Sequence, residues 1–268
     1  MHFIKWILLL ILGITFFGTI GYAGWWADGM FPDNKPLLSA IFAGAGVLML
    51  FLYLILSSLF EGRQVDELHP AGIFSGIFKG FGAAFLLFVL SVCILFACGM
   101  VSFSGISIDW SYIGFSFAAT FMIAVCEEIV FRGFLFRFLD QRWNTALALF
   151  ISAIVFGAYS FFRTDATIWT SAALAIDAGL LLGVAFKYSG SLFFPIGLNW
   201  MFGFLLSLPS SFGLNFPGHE ILTGGDFGID ASIITVSLSI SFILVYLLKM
   251  KKNRYREDKR IIKPLWSR

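Results

Sequence analysis

Apolar runs of 18 or more residues recur along this whole chain, and a chain so patterned folds across a lipid bilayer. Within hydrocarbon every backbone N–H and C=O needs an internal partner, so each run is expected to be a helix. Composition agrees with the pattern. The 268 residues are 59% hydrophobic and 13% charged, where a soluble domain carries about 25% charged residues. Mean hydropathy is +0.90, and 34 phenylalanines suit lipid-facing surfaces better than an aqueous core. The spans are predicted at roughly 3–25, 37–60, 79–103, 112–139, 144–162, 167–187, 191–209 and 230–249. The expected fold is therefore all-α, a polytopic bundle of about eight transmembrane helices. The first run is too long for a signal-peptide core and lacks a small-residue cleavage site after it, so it is read as a retained helix.

Lysine and arginine placement orients the bundle. With the N-terminus inside, 16 of the 18 basic residues fall on the cytoplasmic side, leaving only Lys35 and Arg163 outside. Both termini are therefore expected in the cytoplasm. The tail segment KMKKNRYREDKR reads as an anchor against lipid headgroups, and no nucleic-acid partner is expected. Cys93, Cys98 and Cys126 all fall in apolar runs, which argues against a disulfide framework. There is no soluble domain. The longest polar connection, 210–229 on the outer side, is rich in Gly and Pro and reads as a structured turn. Small-residue spacings (Gly72, Gly76, Gly80, and FAGAG at 42–46) allow close helix approach without implying function.

Charges within spans cost about 2.5–3.5 kcal/mol each, so they need a reason. The run AVCEEIVFRGFLFRFLD in the fourth span holds Glu127, Glu128 and Arg132. Glu128 and Arg132 are four apart and share a helix face, so they can pair. Glu127 is turned about 100° from Glu128 and cannot use that cation equally well. It is the carboxylate that most needs a ligand, a proton or a water. The polar turn at 140–145 sets depth: Glu127 and Ser160 lie at similar distances from it, about 20 Å at 1.5 Å per residue. Asp177 in the sixth span is a further buried carboxylate, either interhelical glue or a member of the same site. Asn199 in the seventh span reads by itself as an interhelical hydrogen-bonder. Cys126 lacks a histidine partner and reads as packing.

EEIVFRGFL resembles the EExxxR signature of the CPBP family (CAAX protease and bacteriocin processing, also called Abi), which are intramembrane metalloproteases. ISAIVFGAYS resembles the second signature, Phe-x-x-x-His, with Phe156 in its place. GLLLGVAFKYSGSLFFPIGLNW resembles the stretch leading to the third, His-x-x-x-Asn or Asp. The outer segment ILTGGDFGIDAS is similar to the segment beyond that third signature in many bacterial members. The match covers roughly 110–235. It divides the chain into N-terminal helices one to three (1–109), a CPBP-like core with the outer loop (110–235), and a last helix with the basic tail (236–268). The resemblance implies catalytic positions at Glu127, Glu128, Arg132, Ser160 and Asn199, a water near the cytoplasmic side, and a substrate peptide bond near the membrane, as beside a prenylated cysteine. It also implies a multi-pass protein of a bacterial plasma membrane.

The departures fall at the catalytic positions. Where the signatures carry histidines the chain has Ser160 and Asn199, and the residue four beyond Asn199 is Gly203. The three histidines, His2, His69 and His219, lie far from the expected site. A histidine-held zinc is therefore not expected, and no cofactor is expected. An oxygen-only ligand set including Glu127 and Asp177 is conceivable for a harder ion, but the spacing does not call for one. Three functions stand as alternatives. The chain has lost proteolysis and binds a membrane segment or lipidated peptide; or it cleaves with Glu127 as general base and Ser160 and Asn199 as oxyanion donors; or its intramembrane carboxylates serve a carrier. The expected partners are membrane lipid and a membrane-bound or lipidated peptide.

Overall fold

The computed structural model describes residues 11–261 apart from 12, 14, 16, 17, 24, 25, 63 and 164, with backbone alone at 60 and 253–261. The predicted first span, 3–25, lies largely outside the described residues, as do His2 and the end of the basic tail.

Among the described residues the remaining seven predicted spans are all helical. They are α1 (Lys35–Leu56), α2 (Ile73–Ala97), α3 (Trp110–Arg142), α4 (Thr145–Ser160), α5 (Ile168–Ser189), α6 (Phe193–Ser207) and α7 (Ile233–Ile261). Five of them are long and apolar enough to cross a membrane, whereas α4 and α6 are shorter apolar helices. The protein is an all-α membrane bundle.

Several helices start where the sequence supplies a cap. Asn34 accepts from the Leu37 amide at 3.1 Å ahead of α1, Asp109 from Ser111 at 2.9 Å ahead of α3, and Asn144 from Leu147 at 2.9 Å ahead of α4. Thr167 and Thr170 form a capping box at the start of α5. Gly190 ends α5 in the left-handed region at φ 66°, where residues with a Cβ are strained. The predicted third span, 79–103, is displaced: its helix runs Ile73–Ala97, and the chain beyond it turns into a strand, β1 (Ser102–Phe103). That strand pairs antiparallel with β2 (Leu214–Asn215), which lies in the long polar connection read from the sequence as a structured turn.

Two helix contacts are unusually close. A Cβ on Gly80 of α2 would lie 2.5 Å from the Leu198 amide nitrogen and the Phe194 carbonyl oxygen of α6, and one on Gly197 would lie 2.6 Å from the Ile77 carbonyl oxygen. Between α4 and α5, a Cβ on Gly157 would meet Ala175 at 2.8 Å and one on Gly179 would meet Ala153 at 2.7 Å. Without a hydrophobic drive inside lipid, this backbone proximity is what dispersion packing between helices depends on.

The loops sort to two ends. At one end, Arg137 pairs with Glu61 at 2.6 Å and Glu67 at 3.0 Å, and Tyr53 donates to Glu67 at 2.6 Å. The Glu67 carbonyl oxygen accepts from the Leu192 amide at 2.9 Å, closing this end over the buried start of α6. Lys187 pairs with Asp140 at 2.7 Å beside it. At the other end lie the two strands, the turn 161–167 and the segment 208–232, tied by a Trp169 indole bond to the Ala231 carbonyl oxygen at 2.9 Å.

Candidate functional site

The site is built from α3, α4, α5 and α6, and two of these helices are locally widened where they meet. Ile129–Phe136 of α3 and Ala175–Leu180 of α5 wind as π-helix. Widening a turn displaces the ordinary i→i−4 bonds and leaves carbonyls in need of other donors. Arg132, in the first π segment, supplies them. It is fully buried and donates to the Ala178 and Gly179 carbonyl oxygens in the second, the latter at 3.0 Å. Its other arm pairs with Glu128 at 2.9 Å, the i,i+4 pair expected from the sequence. Arg132 therefore does more than lock its own helix: it staples α3 to α5.

Phe156 of α4 lies over this guanidinium, with the charge 5.4 Å from the ring centroid, and packs against Phe131 with the ring centroids 4.7 Å apart and the planes tilted by 58°. That contact explains an aromatic at this position of α4. The Asn199 amide nitrogen bridges the two glutamates, at 2.9 Å from Glu127 Oε2 and 3.2 Å from Glu128 Oε1. Asn199 is held in place by the close α2–α6 approach at Gly80 and Gly197, just before it in sequence. The next residue, Trp200, donates to the Phe117 carbonyl oxygen of α3 at 2.8 Å.

Glu127, Ser160, Asn199 and Asp177 line one cavity of about 380 Å³ within the bundle. The equal depth predicted for Glu127 and Ser160 is thus matched by their meeting in space. Gly203, four beyond Asn199, also lines it. Glu128 and Arg132 stand behind the wall, fully buried, and do not line it. Cys126 is a half-buried free thiol.

Two sequence expectations concern how the cavity is lined and how it is reached. One reading of the sequence makes Ser160 and Asn199 oxyanion donors. The Ser160 hydroxyl instead donates to the Gly157 carbonyl oxygen in its own helix at 2.7 Å, and the Asn199 amide serves the two glutamates. Both donors are occupied within the chain. The family resemblance also implies a site near the cytoplasmic side. The cavity adjoins a vestibule of about 620 Å³ at the 208–232 end, and the two share Arg163, Gly203, Leu206 and Asp230 in their walls. The opposite end is closed by the Tyr53, Glu67 and Arg137 cluster.

The donor set does not fit the zinc implied by the family resemblance. No histidine lines the cavity, and among the described residues no three His, Cys, Asp or Glu side chains are grouped to hold a metal. His69 and His219 are exposed and spend a ring nitrogen on the Ala71 and Ile221 amides.

Sequence reasoning missed Arg163 and Asp230, which stand 3.9 Å apart at the neck of the cavity. Arg163 did carry a signal, as one of only two basic residues assigned to the outer side. Residues 109–205 match the family model described as type II CAAX prenyl endopeptidase Rce1-like, in agreement with the resemblance carried by the EExxxR segment. Neither the curated proteins nor the solved structures yield a match.

Proposed function

We propose that this membrane protein, whose residues 109–205 are an Rce1-like region of the CPBP type, uses the core of a CAAX-type endopeptidase to hold a membrane-anchored or lipidated peptide rather than to cleave it. The observation that carries this reading is the hydrogen bonding of the cavity wall. Glu127 faces the cavity as a general base would, but the two groups that stand at the family's histidine positions are bonded inward, Asn199 to the glutamates and Ser160 to its own helix. A tetrahedral oxyanion needs at least one donor aimed at the place where charge develops, and losing one such donor costs about 3–4 kcal/mol of barrier. The amide and hydroxyl at Asn199 and Ser160 do not offer one.

The core is proposed to extend beyond 205 to about residue 235, because Asp230 joins the wall that Glu127 and Asn199 form. Catalytic-type positions carried over from the family are Glu127, Glu128, Arg132, Ser160 and Asn199. Of these, Glu128 and Arg132 act as positioning residues and Glu127 is the group that meets a bound segment. A bacterial plasma membrane is the proposed setting.

The test is a pair of measurements on purified full-length protein in nanodiscs. A farnesylated CAAX peptide and a lipoprotein-like precursor, each bearing a photoreactive residue, are expected to crosslink to the segments containing Ser160 or Asn199 without being hydrolysed. Restoration of hydrolysis in the double variant Ser160→His with Asn199→His supports the reading. Hydrolysis by the unaltered chain that disappears in Glu127→Ala would falsify it.

A further inference from the structure

Arg132 and Arg137 spend their guanidinium groups within the chain, Arg132 on Glu128 and two carbonyl oxygens, Arg137 on Tyr53, Glu61 and Glu67. Arg163 does not. Its guanidinium donates no hydrogen bond among the described residues. Its ion-pair partner, Asp230 Oδ2, is 3.9 Å away, beyond the range of about 2.7–3.2 Å that an N–H···O bond needs. The Arg163 side chain lines both the inner chamber and the vestibule and is 52% exposed. Two contacts fix it at the neck between them. Its amide donates to the Ser160 carbonyl oxygen at 3.0 Å, and its guanidinium lies 4.8 Å from the Phe227 ring centroid.

A cation with unspent donors at the junction of two cavities is placed to receive an anion. Inward of the neck the chamber wall is largely apolar, with Ile123, Phe156, Leu181, Leu198 and Phe202, and suits a hydrocarbon chain. Its volume of about 380 Å³ lies within the range of about 300–1,000 Å³ for small-molecule sites. The ligand these walls match is amphiphilic, apolar along its length and anionic at one end. A carboxylate suits the planar guanidinium fork, which takes both oxygens in two parallel bonds. Asp230 does not bar it. Burial pushes the Asp230 carboxyl above the usual carboxylate range, which weakens its hold on the Arg163 charge. Arg137, in the same molecule, holds two carboxylates at once. Asp226 lines the vestibule and not the chamber.

We infer that Arg163 binds a carboxylate at the end of an apolar chain, held at the neck with the chain running into the chamber past Glu127. Ile123 of α3 and Tyr159 of α4 line the chamber and are also exposed on the surface of the bundle, so a chain longer than the chamber leaves toward lipid between these helices. This inference rests on the bound-peptide reading and names the end of the peptide that is recognised. The same chemistry comes from the free C-terminus of an apolar peptide or from a free fatty acid, and the experiment separates them.

Full-length protein in lipid nanodiscs is titrated with 11-(dansylamino)undecanoic acid and with a dansyl-labelled nine-residue peptide ending in three leucines and a free carboxylate, and empty nanodiscs are subtracted. The neutral counterparts are the primary amides of the two probes. Saturable, blue-shifted binding of an acid is expected, at least tenfold weaker for its amide and at least tenfold weaker in Arg163→Gln. Lys79→Gln, exposed on α2, is expected to change nothing. Tighter binding of the peptide identifies a peptide C-terminus as the ligand, and tighter binding of the undecanoic acid identifies a free fatty acid. Gly203→Leu tests the chamber, since Gly203 lines both cavities. A Cβ there meets Thr120 Cγ2 at an ordinary 3.6 Å, and the longer side chain is expected to obstruct the way inward and weaken both acids at least tenfold. Where a variant does not fold, the comparison of acid with amide on the unaltered protein decides. Equal binding of acid and amide overturns the inference, as does undiminished binding in a folded Arg163→Gln or Gly203→Leu variant. If the unaltered protein still crosslinks the lipidated peptide in that case, the inference alone fails. If it does not, the bound-peptide reading fails with it.

Discussion

Arg132 shows how one side chain can decide the shape of a site without lining it. It is a fully buried cation that pairs with Glu128 and caps two carbonyls on another helix. Removing one member of a buried pair strands the other charge, at a cost of about 3–5 kcal/mol. Arg132→Met is therefore expected to lower stability by that amount in thermal or denaturant unfolding in nanodiscs. Arg132→Lys is expected to fall between the two, since a compact ammonium cannot span Glu128 and both carbonyls as the planar fork does. A result in which Arg132→Met unfolds like the unaltered protein sinks the staple. Ser160 supplies the opposite expectation. Its hydroxyl bonds only its own helix at Gly157, so Ser160→Ala is expected to change stability by no more than about 1 kcal/mol. Peptide crosslinking should be equally unaffected. A large loss of crosslinking there would show that the hydroxyl turns toward bound ligand.

At the level of elements, position comes from backbone contact more than from side-chain size. Asn199 reaches both glutamates because α6 lies against α2 at Gly80 and Gly197, with no room for a methyl group between them. Gly80→Val is expected to separate the two helices, weaken the Asn199 bridge, and cost about 1–3 kcal/mol through overpacking. The check is unfolding together with peptide crosslinking, both of which should fall. Gly82→Val, with nothing within 4 Å of its Cβ, is the matched control and should leave both unchanged. Loss of function in both variants, or in neither, removes the close approach as the cause. The paired π segments belong to this level too. Neither was visible in the sequence, because a π turn depends on which carbonyls find outside donors: for Ala175–Leu180 the donor is Arg132 of another helix, and for Ile129–Phe136 the Tyr53 hydroxyl reaches the Gly133 carbonyl oxygen.

For the whole molecule, the two ends of the bundle differ in kind. One is closed by the Tyr53, Glu61, Glu67 and Arg137 cluster, and the other opens through the vestibule onto the cavity. Under the orientation set by the basic residues, the open end faces outward. A cysteine-free variant carrying Ser210→Cys is then expected to react with an impermeant maleimide applied to intact cells. Gln141→Cys, exposed at the closed end, should react only after permeabilisation. The reverse pattern would invert the topology and make the cavity accessible from the cytoplasm.

Much of this was legible from the residues alone. Seven of the predicted spans are helices, and the Glu128–Arg132 pair and the shared depth of Glu127 and Ser160 hold, because hydrocarbon leaves a helix no alternative and helical spacing is arithmetic. Tertiary structure decided where the polar groups spend their hydrogen bonds. Helix periodicity cannot say that Asn199 of α6 bridges carboxylates on α3 or that Ser160 turns back on α4. Those outcomes depend on interhelical distances of a few ångströms, set by glycines on elements far apart in the chain. Nor could it say which end is open. The intramembrane carboxylates announced a site, and the fold determined the direction from which it is reached.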